Sequence, residues 1–124
     1  MNGKRSAGIV TEGEIWLADF PLEEDPDKYI SRPVIVLHIS GADVLSVKVT
    51  KHGPGRGDPF DTPLIHWREA GLNFSSTARI SKTMFVDISQ FSRRLGTVHP
   101  ADLKVIQDVY MAYIEDKNAK YGLP

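Results

Sequence analysis

The chain has 124 residues, the size of one domain with room for a sizeable core. Hydrophobic residues make up 41% and charged residues 25%, which excludes general disorder, and the formal net charge of −1 excludes coating nucleic acid by bulk charge. There is no cysteine, which excludes disulfides, zinc–thiolate sites and a cysteine nucleophile and suits a reducing cytoplasm.

Residues 1–12 are small, polar and basic and are expected to form a flexible tail, with residues 13–124 as a single domain. They contain no apolar stretch of the kind a signal peptide needs. No apolar run approaches the ~18–20 residues of a membrane span, so no membrane partner is expected. Residues 14–20 are rich in β-formers and end at Pro21, which predicts a strand. Residues 22–30 hold Pro26, four acids and one lysine. They read as a loop of net charge −3, so the acidity of the chain is concentrated there. Residues 33–39 are apolar on both faces, as a central strand is. Turn residues at 40–43 predict a hairpin into the next strand, residues 44–51. That strand alternates, with Leu45, Val47 and Val49 on one face and Ser46, Lys48 and Thr50 on the other.

Three glycines and two prolines make residues 52–59 a surface loop. Residues 62–67 fit a short strand and residues 69–72 a brief helical turn. Residues 77–80 and 84–88 read as two strands or one bent strand, and residues 93–96 as the strand that closes the sheet. From Pro100 the period changes. Leu103, Ile106, Tyr110 and Tyr113 recur at steps of three and four, so an amphipathic helix is expected to near Asn118, with Asp102 at its positive end. The fold class is mainly β with α: five to seven short, mostly antiparallel strands in a small bent sheet or barrel, then a C-terminal helix.

Ser46, Lys48, Thr50 and, if the strand continues, His52 form a polar row with ~6.5–7 Å between neighbours. Such a row can track a phosphodiester backbone, with Lys48 and Lys51 as cations, and His52 titrates near neutrality. A solvated strand face gives the same pattern. Arg32 can fork two donors onto a phosphate, or pair with Glu23, Glu24 or Asp25 of the acidic loop. Thr77, Arg79 and Ser81 alternate outward on their strand, and Lys82 reaches the same side if a bulge intervenes. His38 reads as a buried or edge histidine, His66 as a packing or stacking residue, and His99 as a helix-start residue. The histidines lack metal-ligand spacing, so neither a metal nor another cofactor is expected.

Residues 13–20 (Gly-Glu-Ile-Trp-Leu-Ala-Asp-Phe) followed by Ser31-Arg32-Pro33-Val34-Ile35-Val36-Leu37 resemble the opening of the PemK/MazF toxin family. Val47-Lys48-Val49-Thr50, Ser76-Thr77-Ala78-Arg79, Val86-Asp87-Ile88 and Arg94-Leu95-Gly96 resemble later family segments in the same order. The resemblance runs from Gly13 to Tyr113. It implies an SH3-like small barrel with a C-terminal helix, acting as a homodimer. It also implies a sequence-selective, metal-independent endoribonuclease on single-stranded RNA that leaves 2′,3′-cyclic phosphate and 5′-hydroxyl ends and is blocked by a cognate antitoxin.

Residue by residue, Arg32 matches the family's phosphate-binding Arg before Pro, Thr50 its strand-terminal Thr, and Arg79 an Arg of some members' proton transfer or phosphate stabilisation. Two residues on, Ser81 stands where some members carry an acid, and Lys82 where others carry Gln. That leaves no carboxylate base on this strand and makes His52 or another group its replacement. The expected site is thus Arg32, Thr50, His52 and Arg79 for catalysis, with Lys48, Lys51, Ser81 and Lys82 binding RNA. The acidic loop is expected to repel RNA or to pair with Arg32. A same-fold toxin that binds a protein target, like the gyrase-poisoning members, and a non-catalytic barrel adaptor are the alternatives.

Overall fold

In the computed structural model, residues 9–51 and 57–122 are described. Among these residues six antiparallel strands are followed by one long helix: β1 (Glu14–Pro21), β2 (Tyr29–Ser40), β3 (Asp43–Thr50), β4 (Asp61–Pro63), β5 (Thr77–Asp87), β6 (Phe91–Thr97) and α1 (Pro100–Lys120). They form one sheet in the order β4-β5-β3-β2-β1-β6. The expected mainly-β fold with a C-terminal helix is thus present. Hydrogen bonds do not close the sheet into a barrel, since β4 and β6 are its two edges among the described residues.

The segment after β4 nevertheless meets the edge strand β6. Gly71, a few residues after β4, lies against β6 so closely that a Cβ built on it would sit 2.3 Å from the Leu95 carbonyl oxygen. A Cβ on Gly96 would sit 2.0 Å from the Ala70 carbonyl oxygen. Gly71 also has φ +90°, a region that L side chains avoid. Two backbones therefore touch where only glycines allow it. Gly96→Ala is expected to cost about 1–3 kcal/mol and lower the melting temperature by several degrees. An unchanged thermal denaturation curve would mean that this segment and β6 separate freely.

Each face of the sheet has its own core, because β1 and β2 are apolar on both sides. On one face, Ile15, Ile35, Val47, Val49, Ala78 and Ile80 pack under α1 and the segment after β4, with Ile106 fully buried among them. Leu103, Tyr110 and Tyr113 pack against this core, which is the helical face expected from the sequence. On the other face Trp16, Ala18, Phe20, Val34, Val36, Val44 and Val86 surround Phe91, whose ring meets Trp16 edge-on at 6.2 Å.

The helix start is built as its residues suggest and then does more. His99 caps it, Nδ1 accepting from the Ala101 N–H at 3.1 Å. Asp102 is buried and accepts from the Ile65 and His66 N–H groups at 3.3 and 2.8 Å, which ties the segment after β4 to the helix. His66 stacks on His99 with ring centroids 3.9 Å apart.

Some elements differ from expectation. β2 begins at Tyr29, so Arg32 lies within a strand and not at its mouth. Of the two readings of residues 77–88, two strands or one bent strand, the structure has the second, a single irregular strand. Between the pairs Lys48–Arg79 and Ser46–Met84, β3 advances two residues and β5 five. The Thr83 hydroxyl donates to the Ile80 carbonyl at 2.7 Å inside that bulge. His38 is exposed, with Nδ1 3.3 Å from Glu12 Oε2. Of the expected tail, residues 1–8 lie outside the described residues, whereas Val10 packs on the Trp16 core and the Thr11 N–H donates to Glu14 at 2.8 Å.

Candidate functional site

The candidate residues converge where the second core runs out. One row of directly paired residues crosses five strands: Trp16, Val34, Lys48, Arg79 and Asp61. Side chains of paired residues share a face. The row is therefore apolar at Trp16 and Val34 and charged from Lys48 onward. Two residues further along, Arg32 pairs with Ala18 on one side, and the Val34–Lys48 register carries it opposite Thr50 on the other. Thr50 pairs in turn with Thr77. Arg32, Lys48, Thr50 and Arg79 thus share one face on adjacent strands, which lie ~4.8 Å apart.

Three of these groups are cations held close together and short of water. The Lys48 side chain is only 16% exposed. Burial pulls its ammonium below the ordinary lysine range, and so do the charges of Arg32 and Arg79, with Glu23 offsetting part of the effect. Arg32 is likewise pulled down, first by burial and then by Arg79, against the opposing pull of Glu23. The Arg32 Nε is buried and has no hydrogen-bond partner among the described residues. No carboxylate among the described residues lies within ion-pair distance of Arg32, so the direct pairing offered as one reading of the acidic loop is corrected to a longer-range pull from Glu23. The fold leaves a desolvated guanidinium edge unanswered, and a bound anion would answer both penalties.

The acidic loop does reach the site, by another route. Glu23 sits between two lysines, its carboxylate oxygens 3.5 Å from Lys48 Nζ and 3.3 Å from Lys82 Nζ. The Lys82 hydrogen bond is the main reason that Glu23 lies below the usual carboxylate range. Asp25 turns away to Lys28, at 4.0 Å. Lys82 reaches this side because of the bulge in β5, as the alternation allowed.

Arg79 is held from its far side. Its Nε donates to Asp61 Oδ1 at 2.7 Å, and its other end lies 3.6 Å from Asp58 Oδ2. The Ser81 hydroxyl donates to Asp58. The carboxylate that β5 lacks at Ser81 is therefore supplied by the segment before β4. Burial pushes the Asp58 carboxyl up, but the Ser81 hydroxyl, the Phe60 N–H, Arg79 and Lys82 together leave it below its ordinary range. Sequence reading missed both aspartates. The only available signal was two acids at the edge of a Gly/Pro-rich loop, next to a short β-pattern.

The remaining expected residues divide. Ser46 is fully buried, its hydroxyl donating to the Val44 carbonyl at 2.9 Å, so it leaves the polar row. Lys51 is exposed, with Nζ 5.2 Å from the centroid of the Phe74 ring. His52 lies outside the described residues.

The sequence profile of PemK-like, MazF-like toxins of type II toxin–antitoxin systems matches residues 11–112. The chain belongs to this toxin family. No curated sequence matches it significantly. Solved structures agree on the fold. The MazF toxin of Deinococcus radiodurans superposes with a TM-score of 0.68 at 17% identity, covering 86% of this chain and 97% of that one. Mycobacterium tuberculosis toxin MazF-mt6 gives 0.64 at 19% identity, over 82% and 96% of the two chains. A mycobacterial endoribonuclease in complex with its cognate antitoxin gives 0.61 at 17% identity, over 94% and 98%. No described helix of this toxin is long and apolar enough to cross a membrane.

Proposed function

We propose that this toxin is a sequence-selective endoribonuclease that cuts single-stranded RNA without a metal cofactor. The observation that carries the reading is the desolvated cation pair Arg32 and Lys48, with the unpartnered Arg32 Nε on the face that also bears Thr50. The 2′-oxygen loses its proton to a base and bonds to the neighbouring phosphorus. The bond from phosphorus to the 5′-oxygen breaks, and that oxygen takes up a proton. The products are a 2′,3′-cyclic phosphate and a 5′-hydroxyl end. Arg32 and Thr50 hold the scissile phosphate, and Arg79 stabilises the charge that develops on it. Lys48, Lys51, Ser81 and Lys82 line the path of the RNA, and His52 serves as the base.

A cognate antitoxin, a homodimeric state and action in the cytoplasm belong to the same reading. The mycobacterial endoribonuclease solved with its antitoxin supports the first of these. A single 2′-deoxynucleotide at the scissile position tests the chemistry, because it removes the attacking oxygen and nothing else. Cleavage there is expected to vanish, and continued cleavage would contradict the mechanism. A His52 base predicts a pH–rate inflection near ~6.5 that disappears in His52→Asn, whereas a carboxylate base would leave the rate flat above pH ~5.

Glu23 occupies in the free protein the two lysines that RNA needs. Glu23→Gln is therefore expected to tighten RNA binding about two- to fivefold at low salt. The salt slope should steepen by about 0.7 for each lysine freed to meet a phosphate. A fluorescence-anisotropy titration at several salt concentrations reads both, and an unchanged affinity and slope would remove Glu23 from the account.

A further inference from the structure

Beside Arg32 and Thr50 a cleft of about 540 Å³ opens, which falls within the ~300–1,000 Å³ of small-ligand sites. Leu17, Val49, Leu72 and Leu95 give it apolar walls. Its charged lining groups among the described residues are Arg32, Lys51 and Arg93, with no acid. Phe74 lines it too and is 59% exposed as a residue, an unusual state for a phenylalanine that packs in a core. Lys51 Nζ lies over the Phe74 ring, 5.2 Å from its centroid. Asn73, next in the chain, lines the same cleft.

We propose that this cleft takes one unstacked nucleobase next to the phosphate held by Arg32 and Thr50, with Phe74 as the stacking platform and Asn73 reading the base edge. The inference rests on the ribonuclease reading and gives it a specificity site. An apolar slot with an exposed aromatic ring suits a base face, and an all-cationic rim suits the phosphates on either side. The rim also sets the occupant. A partner protein's apolar side chain would fit the walls, but it would leave three cations facing an uncharged group. The volume admits one nucleotide and not a duplex, so a base must leave its stack to enter. Lys51 joins the two halves of the site, because its ammonium lies over the ring and faces the backbone of the same nucleotide.

The test uses two readouts on the full-length toxin. The first is sequencing of cleavage ends from a randomised single-stranded RNA pool cut by wild type, Phe74→Ala, Phe74→Trp and Asn73→Ala. Phe74→Ala is expected to lower kcat/KM about ten- to hundredfold, and Phe74→Trp to restore most of it. Asn73→Ala should relax the preference at a single position beside the cut and leave the other positions unchanged. The second readout is the fluorescence of 2-aminopurine, moved position by position along a 2′-O-methyl oligonucleotide that cannot be cleaved. Quenching is expected at one position with wild type and should be absent with Phe74→Ala.

Normal cleavage rate and sites in Phe74→Ala would overturn the subsite while leaving the ribonuclease reading intact. So would a Phe74→Ala protein that has changed its oligomeric state, which would assign the ring to a protein interface. Position-specific quenching by a wild-type protein that cuts no RNA would uphold the subsite and overturn the chemistry. Neither cleavage nor quenching would overturn both.

Discussion

Replacing Arg32 by alanine is expected to lower RNA cleavage by about 10²–10³-fold, the usual cost of removing one donor aimed at developing negative charge. The same change should leave the fold at least as stable as before. Among the described residues Arg32 has no carboxylate within ion-pair distance and its Nε is buried without a hydrogen bond, while Arg79 and Lys48 repel it and only Glu23 pulls the other way from longer range. Removing it relieves a desolvation cost and two repulsions, so the melting temperature should stay level or rise. Loss of activity with equal or greater stability is the signature of a group retained for function. Arg32→Lys should recover little, since an ammonium cannot offer two parallel donors to one phosphate. Cleavage at the wild-type rate in Arg32→Ala, or a marked fall in stability, would each contradict this role.

Asp61→Ala is expected to destabilise the toxin by about 3 kcal/mol, the low end for breaking a buried ion pair. The Asp61 side chain is 3% exposed and accepts from Arg79 Nε at 2.7 Å, while Arg79 itself keeps some contact with water. That exposure is why the low end applies. The melting temperature should fall by about 10 °C. Arg79 would keep only Asp58, at 3.6 Å, and would lose the contact that fixes its direction. Cleavage should then fall at temperatures where the protein remains folded. A stable, fully active Asp61→Ala would mean that Arg79 is positioned by other contacts.

Asp58 gives this pair a pH dependence of known sign. Its folded value lies below its unfolded value of about 3.9, so the native state binds its proton less readily than the unfolded state does. The stabilisation is complete above pH ~4 and is lost as the pH falls through the folded value. Asp58→Asn should therefore flatten the acid limb of a stability–pH curve and change little in its slope above pH 5.

The strands and the helix were legible because their periods are local. The alternation at Val47 and Val49 and the three- and four-step repeat from Leu103 to Tyr113 both point into the core beneath α1. Period alone places a residue on a face and does not tell whether that face is covered. Ser46 alternates with its polar neighbours and is nonetheless buried, because it is paired with Val36 of the second core. Arg32 became visible through the Arg-Pro resemblance, since its own sequence neighbours suggested a salt bridge. The contacts of Glu23 with Lys48 and Lys82, and of Asp58 and Asp61 with Arg79, join distant segments. Only strand register brings those segments together, and no local pattern encodes it. Phe74 had no periodic neighbour to explain it, and its exposure became informative only beside the cleft.

The proposed transesterification by side chains alone leaves a chemical signature on both new RNA ends, which end-mapping reads. A long single-stranded RNA would be incubated with the purified toxin in EDTA, and the chemical state of both new ends determined. Discrete cuts bearing 2′,3′-cyclic phosphate and 5′-hydroxyl ends, absent with Arg32→Ala, are the predicted result. Intact RNA at high protein concentration, or cuts carrying 5′-phosphate ends, would contradict it.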